Sequence, residues 1–272
     1  MTADAAIVIA DLTKIFHPLQ LRLRSLRPIR RQPPVRALQD VSMTVRRGDI
    51  VGILGTNGAG KTTLLKILAT LVLPTAGRVI VQGHEVGRDD DRIRALIGLA
   101  FGEERSFYWR LTGRQNLEFF AAFQGLGAHA ARARILRLRD QLGLEALDRR
   151  VGPYSTGMKH RLAMARALLH EPQILLLDEP TRSLDPLAAA NLRRVIRDEV
   201  VRSAGRTALV ATHNLEEAET LCNRIIILHQ GRMVACGTLA ELQRQHGGDT
   251  VRLADIFERL TGQAVALMAG GP

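Results

Sequence analysis

The sequence contains only two cysteines, Cys222 and Cys236, in 272 residues. Two cysteines cannot build a framework of disulfides, so the chain suits a reducing compartment. The sequence also has no run of 18 or more apolar residues, and we therefore expect no transmembrane helix within it. Its N-terminus lacks a basic segment followed by an apolar run and a small-residue cleavage site, so we expect no secretion. Any action at a membrane then needs a separate membrane protein.

Lysine is scarce as well, although the chain is strongly basic. Only four of the 38 basic residues are lysines, and the formal net charge is +11. Such a charge favours anionic partners, namely nucleotides, acidic lipid headgroups or nucleic acids. The excess is concentrated at residues 17–36, which hold six arginines and four prolines but no acidic residue. This basic insertion is too often broken by proline for one long helix; it is either a solvated loop or a contact with anionic headgroups or a partner protein.

The hydrophobic pattern predicts an α/β fold. Two antiparallel strands are expected at 6–10 and 37–45, where apolar and polar residues alternate. From 102 to 157 strand signals are scarce and apolar residues recur at helical spacing, which predicts an inserted helical subdomain. Elsewhere strands alternate with helices, as in a mostly parallel sheet covered on both faces. The other expected strands lie at 50–54, 78–82, 174–178, 207–212 and 224–228, with one more ending near 101, and the helices at 60–70, 156–169, 187–201 and 215–221.

A glycine-rich loop follows the strand at 50–54. Residues Gly55–Thr62 read GTNGAGKT and fit the pattern G-x-x-x-x-G-K-[ST], between the strand and the helix that the pattern requires. Glycines let backbone N–H groups turn toward phosphates, and the helix N-terminus adds its positive dipole end. We expect Lys61 to neutralise the β- and γ-phosphates of a nucleotide and the Thr62 hydroxyl to ligate Mg²⁺. The alternative is a glycine-rich turn with an accidental lysine.

Two acidic residues, Asp178 and Glu179, follow the apolar strand at 174–177. An aspartate at the carboxyl end of a central parallel strand is expected beside the phosphate loop, where it can hold Mg²⁺ directly or through water. Glu179 is then placed to orient or deprotonate the attacking water. Two such acids alone usually mark the start of a helix. Together with the glycine loop they predict a site of nucleotide hydrolysis.

Further motifs carry a resemblance to a known family. The run Tyr154-Ser155-Thr156-Gly157-Met158 resembles the signature sequence LSGGQ of ATP-binding cassette (ABC) proteins, although it departs at three of five positions. The resemblance continues through Pro180-Thr181, Ser183-Leu184-Asp185 and Ala211-Thr212-His213, and it extends from about residue 6 to 240. Because the motifs stand in the family's order and spacing, the chain resembles the ATPase subunit of an ABC transporter.

This resemblance implies a fold and a set of domains. The fold is a P-loop NTPase core with a mostly parallel sheet, an N-terminal antiparallel β subdomain and an inserted α-helical subdomain. The nucleotide-binding domain is expected at 1–240, with the helical subdomain at about 102–157 and the basic insertion at 17–36. A C-terminal helical extension is expected at 241–272.

The resemblance also implies a site shared between two chains. In the family the signature helix of one protomer meets the γ-phosphate held by the other, so two ATP molecules lie between two cassettes. Glu179 and His213 are implied as catalytic residues, and Asp185 as part of a turn at the dimer interface. The residues alone leave simpler alternatives open: Ser155 only caps its own helix, and His213 is structural. The implied ATP-binding set is Phe16, Gly55, Thr56, Asn57, Gly58, Ala59, Gly60, Lys61, Thr62, Thr63, Ser155, Thr156, Gly157 and Met158.

One position departs from the family pattern, and a second lies directly beside the basic insertion. Where the helical subdomain begins, the family has a glutamine that touches Mg²⁺, and Glu103 occupies the corresponding stretch here. The implied metal ligands are therefore Thr62, Asp178 and Glu103. The aromatic residue that stacks on adenine in the family corresponds to Phe16, which directly precedes the basic insertion. Phe16 is either that aromatic residue or a core residue that closes the first hairpin.

The function that follows is the ATP-hydrolysing motor of a membrane transporter, with ATP and Mg²⁺ as cofactors. Residues 253–262 resemble the terminal helix of drug- and lipid-type exporters, which favours export over import. The implied partners are an integral membrane permease, docked near the aromatics of 107–112, and a second ATPase subunit of the same sequence. The implied location is cytoplasmic, on the inner face of the cell membrane. One alternative is a soluble ABC-type ATPase that acts on nucleic acid or the ribosome, although no nucleic acid partner is expected. The other is a P-loop kinase or GTPase, but that function leaves residues 154–161 and His213 unexplained.

Overall fold

The computed structural model describes residues 4–17, 33–101, 107–182, 184–202, 205–248 and 250–262. The strands are β1 Ala5–Phe16, β2 Val35–Arg46, β3 Ile50–Leu54, β4 Ala76–Val81, β5 His84–Glu85, β6 Ile97–Phe101, β7 Ile174–Asp178, β8 Thr207–Thr212, β9 Arg224–His229 and β10 Arg232–Gly237. The helices are α1 Lys61–Leu68, α2 Asp90–Leu96, α3 Gly113–Phe123, α4 Ala128–Leu142, α5 Thr156–Leu168, α6 Pro186–Arg194, α7 Leu215–Leu221, α8 Leu239–Gln245 and α9 Leu253–Thr261, and a π-helical segment at Val195–Arg202 continues α6. None of the helices in the described residues is both long and apolar enough to cross a bilayer.

The first sheet is antiparallel, with the strand order β2-β1-β4-β5. In β2 the apolar residues Val41, Met43 and Val45 are buried, whereas Ser42 and Thr44 between them are exposed. This alternation follows from the two-residue period of a strand with one face on the core. The two N-terminal strands predicted from the sequence therefore form, and both are longer than predicted because the hairpin continues to the pair Phe16 and Val35.

The second sheet carries the site. Its strand order is β10-β9-β3-β8-β7-β6, and all neighbouring pairs are parallel except the edge pair of β9 and β10. Every residue of β3, β7 and β8 is buried, as expected of parallel strands covered by helices on both faces. Since β3 and β7 both lie beside β8, the segments that follow these three strands meet at one edge of the sheet.

The predicted helical stretch contains α3 and α4, which pack with α5 around buried residues such as Leu117, Ile135 and Leu162. Thr112 caps α3 reciprocally with Gln115, and α4 ends at Gly143 in the left-handed conformation. This packing and the two sheets confirm the predicted fold class: an α/β core with an antiparallel N-terminal sheet and inserted helices.

The C-terminal helix α9 packs on the main sheet. Leu253, Ile256 and Phe257 are buried in one cluster with Leu54 of β3, Ala218 of α7 and residues of β9. The predicted helix near 253–262 therefore forms, and its apolar face lies behind the strand that leads into the glycine loop. The domain boundary near residue 240 stays a prediction.

Several short elements escaped the sequence analysis, namely α2, α8, β5 and β10. Each contains no more than seven residues, too few to show a clear period. The helix predicted at 187–201 is correct in position, but its second half is π-helical. The predictions for the basic insertion at 18–32 and for Glu103 and Ser183 fall outside the described residues.

Candidate active site

The glycine loop connects β3 to α1, and its backbone can be formed only with glycine at specific places. Gly58 and Gly60 have φ of 80° and 107°, a conformation that L side chains rarely adopt. A Cβ atom at Gly60 would lie 2.5 Å from the Ala37 carbonyl oxygen, and one at Gly55 would lie 2.5 Å from that of Leu228. The loop thus packs directly against the backbones of β2 and β9, which leaves its inner side to face the cleft.

Lys61 is the first residue of α1, and its side chain is almost fully buried. Its ammonium group donates hydrogen bonds to the carbonyl oxygens of Gly55, at 2.7 Å, and Thr56, at 3.2 Å, and it lies 3.5 Å from Oε1 of Glu179. Burial lowers the pKa of Lys61, and the carboxylates of Glu179 and Asp178 act in the opposite direction. The lysine therefore lies within the loop, between its carbonyl groups and a carboxylate.

Thr62 and Asp178 form the second pair in the site. The Thr62 hydroxyl donates a hydrogen bond of 2.8 Å to Oδ2 of Asp178. The other oxygen, Oδ1, is buried and has no hydrogen-bond partner among the described residues. Burial raises the pKa of Asp178, and the hydrogen bond from Thr62 opposes this shift. A buried carboxylate oxygen without a partner, beside a hydroxyl, is the hard oxygen donor set that Mg²⁺ prefers, so these residues fit that ion.

Glu179 follows β7 in a strained backbone conformation. Its φ is 52°, in the left-handed region that a residue with a Cβ adopts only when its surroundings hold it there. The Glu179 N–H donates a hydrogen bond of 2.8 Å to the Ala211 carbonyl oxygen in β8. Its Oε2 lies 2.7 Å from Nδ1 of His213, which follows the same strand β8. The structure thus brings together Lys61, the adjacent pair Asp178 and Glu179, and His213, from three segments that are far apart in the sequence.

A cleft of about 750 Å³ opens over the glycine loop. Residues Thr56–Thr63, Asp178 and Glu179 line it. Phe16 lies on the same cleft with 41% of its surface exposed, and the Lys14 ammonium is 4.9 Å from its ring centroid. Phe16 closes the first hairpin through its pair with Val35, but it is not a buried core residue, and its ring is open to a ligand in the cleft.

Three basic residues on this cleft were missed: Arg36, Lys66 and Arg182. Lys66 is four residues after Thr62 on α1, a spacing that puts both on one face of a helix, so the pattern could have revealed it. Arg182 follows Glu179 by three residues, and its N–H donates to the Glu179 carbonyl oxygen at 3.1 Å. Arg36 reaches the cleft only through its pairing with Ile15 across the first hairpin, a register that the sequence does not show.

The signature residues occupy a different place. The Ser155 hydroxyl accepts a hydrogen bond of 3.3 Å from the Met158 N–H and so caps α5. Ser155 and Thr156 are exposed, and none of the residues 155–158 lines the cleft over the glycine loop. The hydroxyl accepts in the cap, so its hydrogen remains free to donate to another group. Asp185 caps α6 in a similar way by accepting a hydrogen bond of 2.9 Å from the Ala188 N–H. This chain alone therefore does not bring its signature to its own phosphate loop.

Comparisons with known proteins agree with this geometry. The model of the family described as ABC transporter matches residues 38–182. The ABC transporter ATP-binding protein NatA of Bacillus subtilis is 40% identical over 209 residues, which cover 76% of this chain and 84% of NatA. A daunorubicin resistance ATP-binding protein of Streptomyces coeruleorubidus is 43% identical over 235 residues, 86% of this chain and 72% of that protein.

Solved structures show the same fold. The ATP-binding subunit of an ABC transporter superposes with a TM-score of 0.77 at 29% identity, over 94% of this chain and 99% of that chain. A dimeric ATP-binding cassette in a post-hydrolysis state, bound to ADP and phosphate, superposes with a TM-score of 0.74 at 27% identity, over 86% of this chain and 98% of that chain. The resemblance found from the motifs is therefore confirmed: the chain belongs to the ABC transporter family, as an ATP-hydrolysing subunit of a membrane transporter.

Proposed function

We propose that this chain powers an exporter as a dimer of identical ATPase subunits, with Mg²⁺-ATP bound at the glycine loop of each. The observation that carries the proposal is the meeting of Lys61, Asp178, Glu179 and His213 at the carboxyl ends of neighbouring strands. A cation, a carboxylate for a metal, and a carboxylate paired with a histidine are the groups that hydrolysis of a nucleoside triphosphate requires.

Phosphate binding is assigned to the loop and to Lys61. The N–H groups at the start of α1 and the positive end of its dipole favour an anion in the cleft. Lys61 already lies against the loop carbonyl oxygens, from which it can turn to the β- and γ-phosphates. Phe16, exposed on the same cleft, is the proposed contact for adenine.

Thr62 and Asp178 are assigned to Mg²⁺. The support is the buried Oδ1 of Asp178 that lacks a partner among the described residues, next to the Thr62 hydroxyl. Bound there with the nucleotide phosphates, the ion would supply positive charge against the charge that develops on the phosphate oxygens. Glu103, the third ligand predicted from the sequence, lies outside the described residues.

Glu179 is assigned to the attacking water. Its carboxylate is mostly buried at the end of β7, and His213 lies 2.7 Å from one of its oxygens. Such a carboxylate can accept the proton of a water molecule, and the histidine fixes its orientation and can contact the γ-phosphate. A general base needs an orienting partner, and His213 is the proposed partner of Glu179.

A second copy of the chain is proposed to complete each site. Ser155 and Gly157 lie on an exposed helix N-terminus, which attracts anions but faces away from the cleft of its own chain. A similar cassette forms a dimer with ADP and phosphate bound. In such a dimer the signature helix of one protomer closes the phosphate site of its partner.

Export is supported by the relatives. Similar proteins include a daunorubicin resistance ATP-binding protein and, in Mycobacterium tuberculosis, a doxorubicin resistance ATP-binding protein that is 43% identical over 217 residues. Resistance to a drug follows when a transporter removes it, so we propose outward transport of an amphipathic organic compound. The chain is then expected on the cytosolic face of the membrane, bound to a permease.

The variant Glu179→Gln tests the assignment of the water-activating residue. An amide accepts no proton from water, so hydrolysis is expected to fall by about 10²- to 10⁴-fold while ATP binding persists. Steady-state ATPase activity and equilibrium binding of ATP with Mg²⁺ measure the two effects. Glu219→Gln, on the exposed side of α7, is the matched control and is expected to hydrolyse ATP normally. Hydrolysis by Glu179→Gln at the wild-type rate would remove Glu179 from this role.

The membrane assignment is tested with the same variant. Tagged Glu179→Gln protein, expressed in its own host and purified from detergent extracts with ATP and Mg²⁺, is expected to retain an integral membrane protein. Reconstitution of that pair with the wild-type chain should give ATP-dependent movement of an amphipathic compound across a vesicle membrane. Recovery of RNA or ribosomes in a salt-sensitive manner, without a membrane protein, would instead favour the alternative of an ATPase that acts on nucleic acid.

A further inference from the structure

Glu217 is a carboxylic acid with no exposed surface, in the first turn of α7. Its N–H donates a hydrogen bond of 3.2 Å to the Asn214 side chain, which caps the helix. A buried carboxyl group is costly unless hydrogen bonds compensate for the loss of water, so an acid at this position needs polar partners. None of the roles assigned above to the nucleotide, the metal or the water uses Glu217.

The partners of Glu217 come from the two segments that carry the reactive pair. The Thr181 hydroxyl donates a hydrogen bond of 2.8 Å to Oε1 of Glu217, and the Thr212 hydroxyl lies beside the same carboxyl group. Thr181 follows Glu179 by two residues, and Thr212 directly precedes His213. Both threonines are buried. Glu217 therefore joins the backbone after β7 to the end of β8, directly behind the contact between Glu179 and His213.

Burial raises the pKa of Glu217, and the charge of Glu179 acts in the same direction. The hydroxyls of Thr212 and Thr181 and the charge of Arg193 oppose the shift. The contact with Thr181 needs only an acceptor oxygen at Oε1. Glutamine has the same shape, and its amide oxygen can accept this hydrogen bond.

The backbone at Glu179 needs such an anchor. Its φ of 52° is unfavourable for a residue with a Cβ and persists only where neighbouring contacts fix it. On the β8 side the Glu179 N–H is held by the Ala211 carbonyl oxygen. On the other side, the Thr181 hydroxyl is the contact that ties the following residues to the buried side of α7.

We propose that Glu217 is a positioning residue of the ATPase, which holds Glu179 against His213 through its hydrogen bond with Thr181. The inference rests on the roles proposed above for Glu179 and His213. It assigns to α7 a function in the reaction, although Glu217 does not line the cleft. A displacement of about 1 Å at a reacting group can lower a rate by about 10²-fold, so loss of this anchor is expected to be visible in kcat.

Three single variants and one double variant test the anchor. Glu217→Ala and Thr181→Val each remove one side of the hydrogen bond, and each is expected to lower kcat by about 10-fold or more. The KM for ATP should change by less than about threefold, because the glycine loop is untouched. Glu217→Gln should restore most of kcat. The double variant Glu217→Ala with Thr181→Val should lose no more than the more damaged single variant, because both remove the same contact.

The neighbouring acid supplies the matched control. Glu216 pairs with Arg193 at 2.7 Å, but its side chain is 67% exposed, so Glu216→Ala should hydrolyse ATP normally. All rates are measured well below the melting temperature of each variant. Normal kcat in both Glu217→Ala and Thr181→Val, a loss confined to KM, or a Glu217→Gln as slow as the alanine variant would overturn the proposal. Glu179→Gln is measured in parallel: if it hydrolyses ATP normally, the proposed function fails, whereas an inactive Glu179→Gln beside a normal Glu217→Ala removes only the anchor.

Discussion

At the scale of single residues, polar groups of the site such as Lys61 and Asp178 are buried, at positions where apolar side chains would stabilise the fold more. Asp178 shows the cost, because burial raises the pKa of its carboxyl above the ordinary value. A group whose pKa is raised on folding binds its proton more tightly in the folded chain. The stability gained from that proton is fully present below the unfolded pKa and is lost as the pH rises through the folded pKa. Above this raised pKa the ionised carboxylate therefore destabilises the fold.

Replacement of Asp178 by Asn should consequently stabilise the chain when it is assayed without nucleotide. The melting temperature at neutral pH is expected to rise by a few degrees, at about 2–4 °C per kcal/mol for a chain of this size. The gain should shrink as the pH falls through the raised pKa of Asp178, because the wild-type carboxyl then carries its proton. The amide ligates Mg²⁺ poorly, so the variant should also lose the thermal shift that ATP with Mg²⁺ gives the wild type.

Asp91→Asn is the control for this pH series, because the Asp91 side chain is 98% exposed. Its melting temperature should follow that of the wild type at every pH. A melting temperature of Asp178→Asn below that of the wild type at neutral pH would contradict the argument. It would mean that the hydrogen bond from Thr62 stabilises the fold more than the buried charge destabilises it.

How well each site residue could be predicted depends on whether its position is fixed by nearby residues in the sequence or by distant ones. Lys61 and Thr62 belong to a local motif between β3 and α1, so their spacing was sufficient to predict their place in the glycine loop, on the cleft. The contact between Glu179 and His213 depends on β7 and β8 being neighbours in the sheet, which the motif order of the family implied but spacing alone could not. Arg36 depends on the register of a hairpin, and no local signal records that register.

At the scale of elements, α5 combines a structural role with the role proposed for its N-terminus. The Ser155 hydroxyl caps the helix through the Met158 N–H. Ser155→Ala is expected to cost about 1 kcal/mol in the free energy of unfolding, as for other lost caps. It should also lower ATP hydrolysis by about 10-fold or more, because the proposed donor to the γ-phosphate of the partner chain is lost. Urea denaturation and steady-state hydrolysis separate the two effects.

Thr238 provides the comparison. It caps α8 by accepting a hydrogen bond of 3.2 Å from the Glu241 N–H, far along the chain from the site motifs. Thr238→Ala should lose a similar free energy of unfolding and keep its hydrolysis. Equal losses of hydrolysis in the two variants would show that Ser155 acts only through the stability of its helix.

The C-terminal helix α9 stabilises the strand that leads to the glycine loop. Phe257 is fully buried against the cluster that contains Leu54, the residue before Gly55. Phe257→Ala is expected to lower the free energy of unfolding by about 3–5 kcal/mol, through lost burial and the cavity that remains. Phe123→Ala, at a side chain that is 84% exposed, should leave it within about 0.5 kcal/mol of the wild type. Denaturant titrations measure both.

Element types were predictable where a segment was long or strongly apolar. The strands β3, β7 and β8 and the helix α5 lie within a residue of their predicted bounds, because continuous apolar runs and a helix cap mark them. The helix after Pro186 was predicted as a single α-helix, yet it becomes π-helical at Val195. A π-helix differs from an α-helix by one residue per hydrogen-bonded turn, and hydrophobic spacing does not resolve that difference.

At the scale of the whole molecule, the proposed function needs two chains for one complete site, because the signature lies apart from the cleft of its own chain. This predicts complementation between two inactive variants. Lys61→Ala damages the phosphate loop, whereas Gly157→Asp places a negative charge where the γ-phosphate of the partner chain is expected. An acidic residue in the first turn favours the helix, and an added Cβ atom would lie 3.3 Å from the flexible end of Leu184 and 4.0 Å from the Ser155 hydroxyl, so the variant should fold.

Each variant alone is expected to be nearly inactive. An equal mixture should recover about a quarter of the wild-type activity, because half of the dimers are mixed and each contains one intact site. The measurement is ATP hydrolysis after the two chains have exchanged partners. Activity of the mixture equal to the mean of the separate variants would contradict a shared site.

The prediction of the overall fold depended more on the family resemblance than the predictions of single elements did. Alternating strands and helices predict a covered parallel sheet, but many strand orders satisfy that pattern. The observed order places β3 between β8 and β9, and no spacing or motif in the sequence specifies that position. It follows from packing among distant segments, such as the contact of α9 with the back of β3.

The contact of Lys61 with Glu179 has a consequence for the timing of hydrolysis. One ammonium group lies 3.5 Å from the carboxylate proposed to take a proton from water. In the proposed function the γ-phosphate and Glu179 would compete for the same lysine. A phosphate that drew Lys61 to itself would leave Glu179 without this ion pair. In that arrangement Lys61 stays beside Glu179 until a bound phosphate draws it away.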